Sequence, residues 1–147
     1  MFEKILYPTD FSDVSRKALD YIKQLQKAGT KEVVVLHVID ERELSSVLRH
    51  GGGVMAAIGE IEEVMETSAK KETATIETEL KKSGFDVKIR IKRGIPFTEI
   101  LKAEEEEEVS AVVIGSHGKS LVKEMLLGSV SEKVIRKSTR PVLVVRR

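Results

Sequence analysis

The chain has 147 residues, of which 41% are hydrophobic and 33% charged, and its 25 basic residues nearly balance 24 acidic ones. This composition is typical of one globular domain, residues 1–147, and excludes a disordered chain. The net charge of +1 gives no bulk attraction to nucleic acid or acidic membranes, and no apolar run approaches the roughly 18 residues that span a bilayer. The absence of Cys excludes disulfides, thiolate zinc sites and thiol nucleophiles, which fits a cytoplasmic protein.

The first half of the chain predicts a strand, a helix and a second strand. The apolar run Lys4–Tyr7 is the first strand. A helix is expected from Ser12, a favourable N-cap, to Gly29, a natural stop. The run Val33–Val38 is the second strand, and its first four residues, Val33–Leu36, are continuously apolar, as in a parallel strand covered by helices on both faces. Leu44–Gly59 follows neither period, so we interpret it as a mobile connection, and its glycines favour flexibility over a phosphate loop.

The alternation continues after this connection. A helix is predicted over about Glu60–Lys82, and the alternating run Val87–Ile91 predicts a half-exposed or edge strand. Pro96 opens a third helix, at the position where proline is tolerated. The five consecutive acids Glu104–Glu108 predict a solvated helix end, and Ala111–Ile114 predicts a strand buried on both faces.

The chain closes with one more helix and strand. The helix is predicted to begin near Gly128-Ser129 and to stop before Thr139, and Val142–Val145 is the fifth strand. Strand–helix–strand units of this length cross over right-handed and build a parallel sheet. The sequence therefore predicts an α/β fold, an open five-stranded parallel sheet with helices on both faces.

Unusual residues follow the first and fourth strands. Ligands of an open parallel sheet bind beyond the carboxyl ends of its strands, where the strand order reverses. The first strand ends in Pro8-Thr9-Asp10, and the fourth leads into Gly115 and Gly118, whose small size leaves backbone amides accessible. Nine residues later Gly128-Ser129 opens a helix, and a helix N-terminus attracts anions. The spacing Gly-x2-Gly-x9-Gly-Ser predicts a phosphate cradle.

Competing motifs fit less well. Gly118-Lys119-Ser120 matches the end of a Walker A loop, but Val113 occupies the position of its first glycine. The Gly-x-Gly-x-x-Gly fingerprint of NAD enzymes is absent, and the three histidines do not share metal-ligand spacing. No nucleophile–base–acid pattern is readable, so we expect a ligand bound in this cradle to be hydrolysed slowly or not at all.

The glycine spacing, Pro8-Thr9-Asp10 and Leu36-His37-Val38 resemble the universal stress protein family, in particular its ATP-binding branch. The resemblance covers essentially the whole chain, down to Arg140–Val145. It implies a Rossmann-like sheet in the order 3-2-1-4-5, with strands one and four adjacent. It also implies a homodimer through Pro141–Val145 and a nucleotide-dependent regulatory role in stress response.

The resemblance further implies that ATP is the ligand, with Mg²⁺ or Mn²⁺ held mainly by phosphates and water. Val38 would hydrogen-bond adenine through its backbone, Pro8 and Thr9 would lie beside base and ribose, and Asp10 would lie near the nucleotide. The residues implied for the site are Pro8, Thr9, Asp10, Val38, Ile114, Gly115, Ser116, His117, Gly118, Lys119, Ser120, Leu121, Gly128, Ser129, Val130 and Ser131.

Simpler interpretations stay open for several of these residues. In the simpler interpretation, Asp10 has only a structural role and caps the turn before the first helix. His117 and Lys119 are then ordinary exposed side chains of a loop. His37 is interpreted as a satisfied core histidine. A slow ATPase or nucleotidyl transferase in the same pocket is the alternative function. A nucleotide-free interaction module is the third, and it would lack the glycine spacing that this sequence has. We expect an unidentified protein partner, but neither nucleic acid nor a membrane.

Overall fold

The computed structural model describes residues 1–50, 55–118 and 127–147, with backbone alone at 47–50 and 55–58. Strands and helices alternate along the chain. They are β1 (Lys4–Pro8), α1 (Asp13–Leu25), a 3₁₀ turn (Gln26–Ala28), β2 (Glu32–Asp40), α2 (Glu41–His50), α3 (Met55–Lys82), β3 (Asp86–Gly94), α4 (Pro96–Glu106), β4 (Ala111–Gly115), α5 (Ser129–Lys137) and β5 (Val142–Val145).

The five strands form one parallel sheet in the order β3-β2-β1-β4-β5. The predicted fold class and strand order are confirmed. β1 lies at the centre between β2 and β4, so the strand order reverses there, and β3 and β5 are the two edges. The alternating run that predicted an edge strand lies in β3, as expected.

Helices cover both faces of the sheet. On one face the buried core includes Tyr7, Ile22 and Leu80 from β1, α1 and α3. On the other it includes Ile100 and Val134 from α4 and α5. Burial on both faces explains why β1, β2 and β4 each contain an uninterrupted apolar run, Ile5–Tyr7, Val33–Leu36 and Ala111–Ile114.

The predicted helix ends are confirmed at several positions. The Ser12 side chain accepts a hydrogen bond from the Ser15 amide at 3.3 Å and caps α1. Gly29 follows the 3₁₀ turn with a φ of 100°, a conformation that favours glycine. Pro96 is the first residue of α4, and Gly128 is the N-cap of α5.

The interpretation of Leu44–Gly59 as an irregular connection is wrong where it can be checked. Residues 44–50 belong to α2 and residues 55–59 to α3, while 51–54 lie outside the described residues. Asp40 caps α2, because its Oδ1 accepts from the Arg42 amide at 2.9 Å. Glu41 and Glu43 suit the first turn, and Leu44 is buried.

The acidic run Glu104–Glu108 is also different from the prediction of a solvated helix end. Glu104 and Glu107 are only 1% and 8% exposed, whereas Glu105, Glu106 and Glu108 face solvent. The acidic run, at the end of α4, therefore turns two of its five carboxylates toward hydrogen-bond and ion-pair partners elsewhere in the fold. Among the described residues, no helix is long and apolar enough to cross a membrane.

Candidate functional site

A cleft of about 330 Å³ opens at the carboxyl ends of β1, β2 and β4. Its size falls within the range of small-molecule pockets. Most of its lining residues fall into two chemical groups, which we call its apolar part and its polar part. The apolar part is lined by Pro8, Leu36, Val38, Ile39, Met65, Pro96, Ile100, Ile114 and Val130; the polar part by Thr9, Asp10, Ser15, Gly115, His117, Gly118, Gly128, Ser129 and Ser131.

The backbone of β2 faces the cleft at Val38 because β2 is longer than its neighbour. The β1–β2 register ends at the pair Pro8 and Leu36. The Leu36 carbonyl accepts a hydrogen bond from the Thr9 amide at 2.8 Å, so the backbone polar groups of Leu36 point toward β1. Backbone groups of a strand alternate between its two neighbours, so those of Val38 point to the same side, beyond the end of β1. Val38 therefore presents a donor and an acceptor to the cleft.

Thr9 ties the end of β1 to the start of α1. Its hydroxyl accepts from Ser15 Oγ at 2.6 Å and from the Phe11 amide at 3.1 Å. The Tyr7 hydroxyl donates to the Ser15 carbonyl at 2.6 Å, and burial raises the pKa of Tyr7 despite hydrogen bonds with Ser15 and Thr9. Thr9 is buried, so its hydroxyl acts as part of this framework.

His37 braces the same turn from β2. Its Nδ1 lies 2.8 Å from the Thr9 carbonyl, which can only accept, so Nδ1 carries a proton. The ring stacks on Phe11 with centroids 4.3 Å apart. Sequence reasoning placed His37 in the core with its hydrogen bond satisfied; the bond is present, but the residue is half-buried and lines the cleft.

Asp10 has a structural contact and also faces the glycine cradle. Its Oδ1 accepts from the Ser12 amide at 3.0 Å, as the simpler turn-cap interpretation expects. Its Oδ2 lies so close to Gly118 that a Cβ added there would be 2.7 Å from it. Any side chain at 118 would displace the Asp10 carboxylate, so this approach requires glycine.

The other two glycines also allow close packing. A Cβ at Gly115 would lie 3.1 Å from Val14 Cγ1 and 3.2 Å from the Ser15 amide, so Gly115 lets α1 pack against the end of β4. A Cβ at Gly128 would lie 3.3 Å from both His117 Cα and the Ser116 carbonyl. The three glycines bring β1, β4 and the start of α5 together around one point of the cleft.

The first turn of α5 lines the cleft. Helix N-termini leave their first-turn amides without intrahelical partners. Within the described part of the chain, no side chain caps this one, since Gly128 is the N-cap. Ser129 and Val130 line the cleft there. Lys119, Ser120 and Leu121, which were also predicted for this site, lie outside the described residues.

Ser116 differs from the rest of the predicted site. It is fully buried and does not line the cleft. Its Oγ lies 2.7 Å from His117 Nδ1, which resembles a nucleophile–base pair, but burial keeps this hydroxyl away from any ligand in the cleft. Among the described residues, no group of three or more His, Asp or Glu could hold a metal ion. This arrangement is suited to binding.

Sequence reasoning missed the rim of the cleft beyond Val38. Asp40, Arg42 and Glu43 line it from the end of β2 and the start of α2. Arg42 forms a two-pronged ion pair with Asp40, at 3.0 Å from Nε to Oδ1 and 2.8 Å from the terminal nitrogen to Oδ2. The Arg42 hydrogen bond lowers the pKa of Asp40. The spacing Asp40-x-x-Glu43, typical of a capped helix start, is the sequence pattern that would have found this rim.

Comparisons with known proteins agree with this architecture. Residues 1–146 match the universal stress protein family. Universal stress protein MJ0577 of Methanocaldococcus jannaschii is 45% identical over 100% of this chain and 96% of its own length. YxiE of Bacillus subtilis, also a universal stress protein, is 37% identical over 99% and 100%.

Solved structures show the same likeness. The structure of MJ0577 superposes with a TM-score of 0.91 at 45% identity, covering 100% of this chain and 97% of that one. A universal stress protein family member from Arabidopsis thaliana, solved with AMP bound, shares the fold at 13% identity, with a TM-score of 0.68 and coverage of 98% and 91%. On the family match and on these relatives, the chain belongs to the universal stress protein family.

Proposed function

We propose that this protein binds an adenine nucleotide, ATP foremost, in the cleft at the carboxyl ends of β1, β2 and β4. We further propose that it acts as a nucleotide-dependent regulator in stress response. The carrying observation is that one cleft joins an apolar slot, open to the β2 backbone at Val38, with the uncapped start of α5. At 13% identity, the likeness to the Arabidopsis protein with AMP bound shows a shared fold and does not identify the ligand of this chain. The ligand assignment therefore depends on this chain's own residues.

The apolar part suits a purine base. Pro8, Val38, Ile100 and Ile114 offer flat apolar contact, and the Val38 amide and carbonyl point into the same space. Adenine presents an acceptor and a donor side by side on one edge, which matches a neighbouring backbone donor and acceptor. Binding through the backbone needs no particular side chain at 38.

The polar part suits phosphates. The first-turn amides of α5 and the Ser129 hydroxyl supply donors, and the helix start carries a partial positive charge of about 0.5 e. Asp10 adds a carboxylate beside Gly118. A lone carboxylate next to phosphates fits Mg²⁺ or Mn²⁺, whose remaining ligands come from phosphate oxygens and water. Such an ion would neutralise the charge of the phosphates.

The direct test is to identify what the cleft binds. Purified protein is extracted with acid and analysed by nucleotide chromatography, and ATP is titrated calorimetrically into nucleotide-free protein. Gly118→Val should weaken ATP binding at least tenfold, because its side chain would meet the Asp10 carboxylate. Ser129→Ala should weaken it about fivefold through loss of one hydrogen bond, worth roughly 1 kcal/mol.

Gly59→Ala is the matched control, since a Cβ at this position in α3 meets nothing within 4 Å. It should bind ATP like the parent. Equal ATP affinity in Gly118→Val, Ser129→Ala and the parent would show that the cradle is misassigned. The alternative, a slow ATPase or nucleotidyl transferase, requires turnover of ATP with Mg²⁺ above the buffer rate, measured alone and with cell extract.

We also propose a cytoplasmic homodimer that pairs the β5 edges of two copies. β5 is an edge strand, and its Leu143 side chain is 41% exposed. An apolar edge left open invites pairing, and a two-fold axis satisfies both copies at once.

A further inference from the structure

The backbone of Ser116 is a junction between three elements. Its amide donates to the Val145 carbonyl of β5 at 2.7 Å. Its carbonyl accepts from the Gly128 amide at 2.6 Å and from Ser131 Oγ at 2.7 Å. The end of β4, the end of β5 and the start of α5 are therefore held together by the backbone amide and carbonyl of one residue, Ser116.

The Ser131 hydroxyl is committed to this junction. A serine hydroxyl has one proton to donate. The Ser131 proton has two carbonyls within reach, Ser116 at 2.7 Å and Gly128 at 3.1 Å, and carbonyls can only accept. Phosphate oxygens also need donors, so this hydroxyl cannot donate to a phosphate while the junction is intact. Ser131 is 3% exposed, which agrees with an internal role.

We infer that Ser131 is a positioning residue: its hydroxyl fixes the start of α5 against the end of β4 and so holds the α5 amides in place for the phosphates. The inference rests on the proposed function for its effect on nucleotide affinity, but its structural part applies to the protein without ligand. Hydrogen-bond donors that are already held in place lose little conformational freedom when the ligand binds. Their fixed position in the free protein therefore raises the affinity.

Ser129 provides the contrast. It lies in the same turn, its side chain is exposed, and it lines the cleft. If Ser129 contacts phosphate directly and Ser131 has a positioning role, substitutions of the two serines should affect the nucleotide-free protein differently. Loss of a direct contact changes only binding, whereas loss of a positioning contact also loosens the free protein.

The experiment compares Ser131→Ala, Ser131→Thr and Ser129→Ala with the parent. The first measurement is hydrogen exchange of the Gly128 amide in nucleotide-free protein by NMR. Ser131→Ala should accelerate this exchange about tenfold, Ser131→Thr should restore the parent rate because it keeps a hydroxyl, and Ser129→Ala should leave the rate unchanged.

The second measurement is calorimetric affinity for ATP and for adenosine. Ser131→Ala should weaken the binding of ATP about tenfold and the binding of adenosine less than twofold, because only the groups that donate hydrogen bonds to the phosphates are disturbed. If Ser131→Ala does not fold, Ser131→Cys replaces it, since it keeps the side-chain volume and weakens the donor.

The outcomes separate the two proposals. Unchanged Gly128 exchange in Ser131→Ala overturns the positioning role, and with weakened ATP binding it would make Ser131 a direct phosphate ligand while the proposed function stands. Faster exchange with unchanged ATP affinity overturns the link to phosphate binding. If the parent binds no nucleotide, the proposed function fails, and the exchange data still decide whether Ser131 holds the junction.

Discussion

At the scale of single residues, Glu107 is a buried carboxylate surrounded by cations. Lys88, Arg90 and Lys4 approach it at 2.7, 3.1 and 3.3 Å. Burial pushes the pKa of Glu107 upward, but the hydrogen bonds from Lys88 and Lys4 outweigh it, so the pKa lies below its ordinary value. The network joins α4 to β1 and β3, and it gives stability that depends on pH.

The sign of this dependence follows from the lowered pKa. The folded state holds the Glu107 proton less tightly than the unfolded state, whose pKa is near 4.5. The stabilisation is therefore complete above pH 4.5 and is lost as pH falls through the folded-state pKa. Glu107→Gln should lower the free energy of unfolding by about 1–3 kcal/mol at pH 7, and by less at pH 3. Urea denaturation at both pH values measures this.

Glu108→Gln is the control for Glu107, because Glu108 is the exposed neighbour in the same acidic run. It should change stability by less than about 0.5 kcal/mol at either pH. A Glu107→Gln effect of equal size at pH 3 and pH 7 would contradict an ionic origin.

At the scale of elements, Glu104 joins α4 to the connection between α5 and β5. Its side chain accepts from Ser138 Oγ at 2.5 Å, from the Thr139 amide at 2.9 Å and from Thr139 Oγ1 at 3.1 Å. Because Glu104 is 1% exposed, truncating its side chain would remove these hydrogen bonds and also leave a cavity in a buried position. This contact fixes the chain where it enters the edge strand.

We expect Glu104→Ala to lower the free energy of unfolding by about 2–4 kcal/mol, from lost hydrogen bonds and lost packing. Glu105→Ala, an exposed neighbour with one bond to Thr139, is the comparison and should cost about 1 kcal/mol or less. Guanidinium denaturation gives both values. Equal losses in the two variants would show that the buried acid has no special role.

Glu104 and α2 also show where sequence reasoning stops at this scale. Strands buried on both faces are predictable because their apolar residues are continuous, and β2 and β4 were found for that reason. Which acid of a run is buried depends on partners such as Thr139, 35 residues away, that no local pattern reveals. α2 was missed because the glycines at 51–53 drew the interpretation toward a flexible connection, although Asp40 caps the helix.

In the candidate site, too, features with a local sequence pattern were predictable and contacts between distant residues were not. Its two ends were predictable, because the topological rule places the strand ends of β1 and β4 together and the glycine spacing lies there. The structure brings Asp10 against Gly118 and the start of α5 against Ser116. The commitment of the Ser131 hydroxyl to the Ser116 carbonyl could not be predicted, since a serine in a first helical turn suits a phosphate contact equally well.

At the scale of the whole molecule, the two edges of the sheet differ in charge. The β3 edge carries Lys88, Arg90, Lys92 and Arg93, and charged side chains on an edge strand oppose pairing with another chain. The β5 edge, Val142–Val145, carries no charge. If two copies pair through an edge, β5 is therefore the edge that permits it.

Leu143→Lys should convert the proposed dimer to a monomer, because two facing lysines on one two-fold axis would repel each other and remove apolar contact from the interface. Val64→Lys is the matched control: it makes the same apolar-to-charged change on α3, where Val64 is 67% exposed and far from β5 in the fold. Sedimentation equilibrium of parent and variants gives the masses, and circular dichroism checks that both variants fold. A monomeric parent would contradict the proposed dimer. A Leu143→Lys variant that stays dimeric would show that the interface lies at another surface.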